Sequence, residues 1–165
     1  MTEDARFEDG GDRPLRLSAE DAGDVEVISA LAQDAIFPIS EMTWRPRERR
    51  FALLLNRFRW EDKDAAARMG RKVERVQSVL TIDDVLGVAS QGIDRSETDM
   101  ILALLSVAFA PGDDGTGRIE LTLSGDGVIG LDVECVNISL VDVTRPYLAP
   151  SGQVPSHGDD AAEGD

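Results

Sequence analysis

Met42-Thr43-Trp44-Arg45-Pro46-Arg47-Glu48-Arg49-Arg50-Phe51-Ala52-Leu53-Leu54-Leu55-Asn56-Arg57-Phe58-Arg59-Trp60-Glu61 reads as a β-hairpin. A short strand ends at Arg45. The next four residues turn, with Pro46 presetting φ for the bend. A long strand rich in aliphatic and aromatic residues follows from Arg50 to Trp60. On that strand Phe51, Leu53 and Leu55 share a face with Arg57 and Arg59, and Ala52, Leu54, Asn56, Phe58 and Trp60 share the other. Both faces are apolar over the first half, which predicts a central strand covered on both sides.

The hairpin begins a basic island in an acidic protein. Its formal net charge is -15 over 165 residues. Between Arg45 and Arg75 eleven Lys and Arg stand against five Asp and Glu, a local +6 that leaves -21 on the rest. Such asymmetry predicts an electrostatic contact, either with a partner or with the protein's own carboxylates.

Upstream, residues 1–14 are acidic and Gly-rich, with Phe7 as their one bulky apolar group. That composition cannot offset the entropy of ordering and predicts a disordered extension. Leu15-Arg16-Leu17 suits a short first strand. Ser18 with Asp21 resembles a capping box. Val25, Ile28, Leu31, Ala32, Ala35 and Ile36 then recur at helical spacing, predicting one principal helix from about Ala19 or Gly23 to Ile36. Pro38 ends it.

Downstream, 62–70 is a polar helical turn or loop. Lys72–Ile82 and Val85–Ile93 are β runs around Asp83-Asp84, and Met100–Phe109 is a helix or a buried strand, with Val107, Phe109 and the following Pro111-Gly112 favouring the strand. Arg118–Ser124 and Val128–Val136 flank Gly125-Asp126-Gly127, a tight hairpin turn. Ile138–Val143 is a last strand or short helix. A shift of 43 residues lays Arg75-Val76 on Arg118-Ile119 and Val85-Leu86-Gly87-Val88 on Val128-Ile129-Gly130-Leu131. Either a hairpin unit is duplicated, or two hairpins of alternating aliphatics look alike. The fold expected is α+β: a mainly antiparallel sheet or partly closed barrel of about seven strands, with the N-terminal helix on one side. Residues 15–148 form one domain and 149–165 a flexible acidic tail.

Several chemistries find no residues to support them. The sole His, His157, falls in the expected tail. The sole Cys, Cys135, sits in an apolar strand and reads as a small core residue. With neither a second Cys nor a structured His, no zinc site or nucleophilic triad is expected. Asp83-Asp84 and Asp113-Asp114 sit at turns, where Asp is expected for its backbone hydrogen bonds. No Gly-Lys-Ser/Thr loop is present. No catalytic residue, metal or cofactor is therefore expected. One cysteine, an acidic start without a signal-like apolar region, and no long apolar run point to cytoplasm rather than membrane.

The remaining candidate is the hairpin: Trp44, Arg45, Arg47, Arg49 and Arg50 near its turn, and Arg57, Arg59 and Trp60 at its far end. Arginine binds carboxylate or phosphate bidentately. The acidic remainder opposes nucleic acid. The leading expectation is a non-catalytic binding or assembly module contacting an acidic protein or a second copy of itself as a homodimer. The alternative is a small anionic ligand or an active site where Arg57 and Arg59 meet Asp132 or Glu134.

Leu31-x-Gln33-Asp34-Ala35, then Arg47 to Glu61, then Asp142-Val143-Thr144-Arg145-Pro146 form a pattern that resembles a bacterial family of small proteins of unknown function. The resemblance spans Leu15 to His157. It implies the domain limits and a bacterial cytosolic setting, and no activity, cofactor or site residue.

Overall fold

A computed structural model describes residues 14–148. Ten strands form one antiparallel sheet: β1 (Arg16–Ala19), β2 (Ala35–Pro38), β3 (Met42–Arg45), β4 (Arg50–Phe58), β5 (Arg75–Ile82), β6 (Val85–Gln91), β7 (Ile101–Pro111), β8 (Gly117–Leu123), β9 (Val128–Val133) and β10 (Ile138–Asp142). Two helices accompany them, α1 (Ala22–Ala32) and α2 (Lys63–Arg68). The strand order is β1-β10-β5-β4-β2-β7-β8-β9-β6, with β3 beside the first half of β4. The mainly antiparallel expectation holds. The sheet has ten strands rather than about seven, and it is open, with β1 and β6 at its edges. The expected extension and tail, with His157, lie outside the described residues apart from Pro14.

The hairpin expected over Met42–Glu61 is β3–β4. Trp44 faces Phe51, and Arg45 faces Arg50 across the turn. Alternation along β4 runs from Phe51 to Arg57: Phe51, Leu53, Leu55 and Arg57 are buried, Ala52, Leu54 and Asn56 are half-buried, and Phe58 breaks it by being buried too. The strand is central, with β5 on one side and β3 and β2 on the other. One face enters the core and the other is only partly covered.

The helix differs from its expected span. Asp21 rather than Ser18 is the cap, accepting from the Asp24 amide at 2.8 Å. Ser18 belongs to β1. The helix ends at Ala32, Asp34 turns the chain at a φ of 67°, and Ala35–Pro38 becomes β2. In β2, Ala35 and Phe37 are buried and Ile36 is exposed, which is strand periodicity. A short apolar run satisfies either period, and pairing with β7 decided it. Val25, Ile28 and Ala32 bury the inner stripe of α1, which packs mainly on β7. At the β-bulge there, the Val107 amide donates to the Ser29 hydroxyl at 2.9 Å.

Asp83-Asp84 does not close a hairpin. β5 pairs with β4 and β10, and β6 pairs with β9. The chain passes a corner at Asp84, whose φ is 60°. Ile82 faces Ile138 on one side of the corner and Val85 faces Val133 on the other. β5–β6 and β9–β10 are thus two long bent strands lying antiparallel. Asn137 Nδ2 (3.0 Å) and Cys135 Sγ (3.4 Å) both donate to Asp84 Oδ2 at this corner. β8–β9 is a true hairpin and β5–β6 is not, so the 43-residue likeness does not extend to arrangement. Cys135 is exposed, not a core residue, because it lies in the corner between β9 and β10.

Candidate functional site

The turn of the β3–β4 hairpin is a single helical turn, Pro46–Glu48, followed by Arg49 in the left-handed region at a φ of 56°. That twist sends the Arg49 and Arg50 side chains toward the corner. Arg49 pairs with Glu134 at 2.8 Å and Arg50 with Asp83 at 2.7 Å. The Val85 amide donates to the Arg49 carbonyl at 3.0 Å. The hydrogen bond and charge of Asp83 raise the Arg50 pKa. Arg45 approaches Glu48 at 3.7 Å. The three arginines stay at least half exposed, so each pair contributes at most about 1 kcal/mol. Arg47 forms no ion pair among the described residues.

The far end of the hairpin is internal. Arg57 is 0% exposed. Its Nη2 donates to Asp142 Oδ1 at 2.9 Å, and Nη1 and Nη2 reach the two Glu61 oxygens at 2.9 Å each. Ser78 Oγ donates to the same Asp142 oxygen at 2.6 Å, and the Leu15 amide donates to the other at 2.8 Å. Burial alone would lower the Arg57 pKa; Glu61 and Asp142 together raise it. One ionic knot therefore joins β4, β5, β10 and the entry to β1. Arg59 pairs with Glu74 at 2.6 Å and Asp62 at 3.4 Å. The Trp60 indole donates to the Gln33 carbonyl at 2.9 Å, so this tryptophan anchors the end of α1. Much of the basic island is thus matched by the protein's own carboxylates. Arg57 and Arg59 do not meet Asp132 or Glu134, which face Arg118 and Arg49.

A cleft opens beside the hairpin. The Pro46–Glu48 turn approaches β6 near the corner, but β3 and β6 do not pair, and the gap between them is a cavity of about 290 Å³. Ile39, Phe51 and Ile129 form its buried floor. Met42 and Trp44 of β3 and Val88 and Ile93 opposite are half-buried walls. Ser40, Ser90, Arg95 and Thr98 stand exposed at the mouth. The volume is at the lower limit of small-ligand pockets, about 300 Å³. Of the residues singled out from sequence, only Trp44 lines it. Arg95 was not singled out, because it lies in a polar connection between strands with no spacing that marks chemistry. Among the described residues no three His, Cys, Asp or Glu side chains gather as a metal site. No helix among them is long and apolar enough to cross a membrane.

Sheet and cleft together define a mainly antiparallel α+β domain with a small apolar cleft at an open seam. The chain belongs to the family described as protein of unknown function (DUF2948), whose model matches residues 15–157. No curated protein and no solved structure matches it.

Proposed function

We propose that this protein is a non-catalytic binding module, and that it holds a small apolar or amphipathic ligand in the cleft between β3 and β6. The supporting observation is the composition of that cleft: an apolar floor, a tryptophan wall, and Arg95 as its one titratable side chain. General acid–base chemistry needs converging titratable groups, and this lining offers a place to hold a ligand instead. The exposed single cysteine supports a cytosolic setting in the bacterial host that the family resemblance implied.

The test uses Trp44 as its own reporter. In a Trp60→Phe variant Trp44 is the only tryptophan left. Titration with the neutral probe N-phenyl-1-naphthylamine should quench its emission saturably. Val88→Phe, which narrows the cleft, should weaken binding at least about tenfold, or 1.4 kcal/mol. Quenching that Val88→Phe leaves unchanged would refute the reading.

A second reading keeps the hairpin turn as a contact for an acidic protein or a second copy. Arg47 favours it, as an exposed cation at the tip without an ion pair among the described residues. Arg47→Glu is the clean test, since reversing Arg49 or Arg50 would set like charges beside Glu134 and Asp83. Sedimentation and pull-down from lysate identical to wild type would sink this reading.

A further inference from the structure

The cleft has one cation at its mouth, and among the described residues that cation has no ion-pair partner. Arg95 sits in the connection between β6 and β7 and is exposed. The carboxylate beside it, Asp94, is committed to Ser96, accepting from its hydroxyl at 2.6 Å and its amide at 3.0 Å. Arg95 itself forms no ion pair among the described residues. The contrast with Arg49, Arg50, Arg57 and Arg59, all matched to carboxylates, is sharp in a chain of net charge -15.

The connection is also held in place. Gly92 has a φ of 73°, and a Cβ there would lie 2.6 Å from the Asp126 carbonyl oxygen, so side-chain-bearing residues are excluded. On the other side the Ser40 amide donates to the Thr98 carbonyl at 3.2 Å and the Ile39 amide to the Met100 carbonyl at 3.0 Å. These bonds tie the stretch around Arg95 to the wall that carries Met42 and Trp44. Polarity is graded from the buried floor of Ile39, Phe51 and Ile129 to the charged mouth.

We propose that the cleft takes a free amphipathic monocarboxylate, a medium-chain fatty acid or an arylalkanoic acid, with its carboxylate at Arg95 and its apolar body on the Ile39, Phe51 and Ile129 floor. The proposal rests on the cleft reading above and names its ligand class. Arginine's fork matches a carboxylate, and the hydroxyls of Ser40, Ser90 and Thr98 supply further donors at the mouth. A single cation suits a single negative charge. The acidic surroundings work against a phosphate or another multiply charged anion.

The experiment compares octanoate with octan-1-ol, which has the same chain without the charge. Each is titrated into the Trp60→Phe protein and read by Trp44 emission and by displacement of the neutral probe. Octanoate should bind more tightly than octanol and lose the advantage at high salt. Arg95→Gln should weaken octanoate about fivefold, the scale of an exposed ion pair, and leave octanol unchanged. Arg95→Lys should restore part of the loss. Equal binding of octanoate and octanol, with Arg95→Gln silent, overturns the carboxylate assignment and leaves the cleft reading standing. Failure of both to displace the probe, or to perturb Trp44, overturns the cleft reading as well.

Discussion

Replacing Asp142 with alanine should be the most damaging single change in the ionic knot. Asp142 accepts from Arg57, Ser78 and the Leu15 amide, and its side chain is 2% exposed. Alanine removes all three acceptances and leaves a fully buried guanidinium with half its compensation. Removing one partner of a buried pair costs about 3–5 kcal/mol, since the remaining charge is uncompensated. A domain of this size has about 5–15 kcal/mol in total, so the variant should be marginal, with Tm lower by roughly 10–20 °C. The assay is urea denaturation followed by tryptophan emission, with the midpoint falling and the slope unchanged. The double variant Arg57→Met with Asp142→Leu should recover at least half the loss. It removes both buried charges, and Glu61, whose side chain is 28% exposed, can turn to water. An Asp142→Ala loss below about 1 kcal/mol, or a double variant less stable than the single, would refute the claim that buried charge compensation holds these strands together.

Other outcomes follow from particular contacts. Gly117→Ala should cost about 1–3 kcal/mol by overpacking, because a Cβ there meets the Ala110 carbonyl oxygen and the Phe109 ring, each at 2.5 Å; thermal melts check it. Hydrogen bonds from Asn137 and Cys135, with a smaller contribution from Arg49, hold the Asp84 carboxyl below the usual carboxylate range. Its folded pKa is depressed, so its contribution is present above the unfolded value, near pH 4, and is lost as pH falls through the folded one. Acid titration of Asn137→Ala should show a flatter low-pH limb than wild type. Partial desolvation and the Asp84 carboxylate push the Cys135 thiol up, so this exposed cysteine should react slowly with a disulfide reagent near pH 8, and Asp84→Asn should speed it. Arg50→Ala should shift stability by no more than about 1 kcal/mol, since the Arg50 side chain is half exposed to water.

The sequence alone determined the β3–β4 hairpin and the antiparallel character of the sheet, and it favoured a strand over a helix for β7. Each follows from local physics: alternation with period two, a proline-led turn, and Val and Phe followed by Pro-Gly. The family was legible in the residue pattern, and the family model matches the same span, residues 15–157. Where local signals served two structures equally, tertiary contact decided. Ala35-Ile36 suited a helix end as well as a strand, and became β2 because β7 offered it an edge. Asp83-Asp84 looked like a hairpin turn, and became a corner because β9 and β10 bend alongside it.

Which of the charges are buried was decided by the tertiary structure. Arg47, Arg57 and Arg59 look alike in a basic run, but one stands at an exposed turn and the others are enclosed by carboxylates, some close in the chain (Glu61, Asp62) and one, Asp142, 85 residues from Arg57. The cleft was illegible for the same reason. Its lining comes from the Ile39–Glu41 turn, β3, β4, β6, β9 and the stretch around Arg95, and no periodicity in one dimension encodes a gap between two strands that fail to pair. Secondary structure is written in neighbours a few residues apart. Ion pairing and cavities depend on the distances that only the folded chain sets.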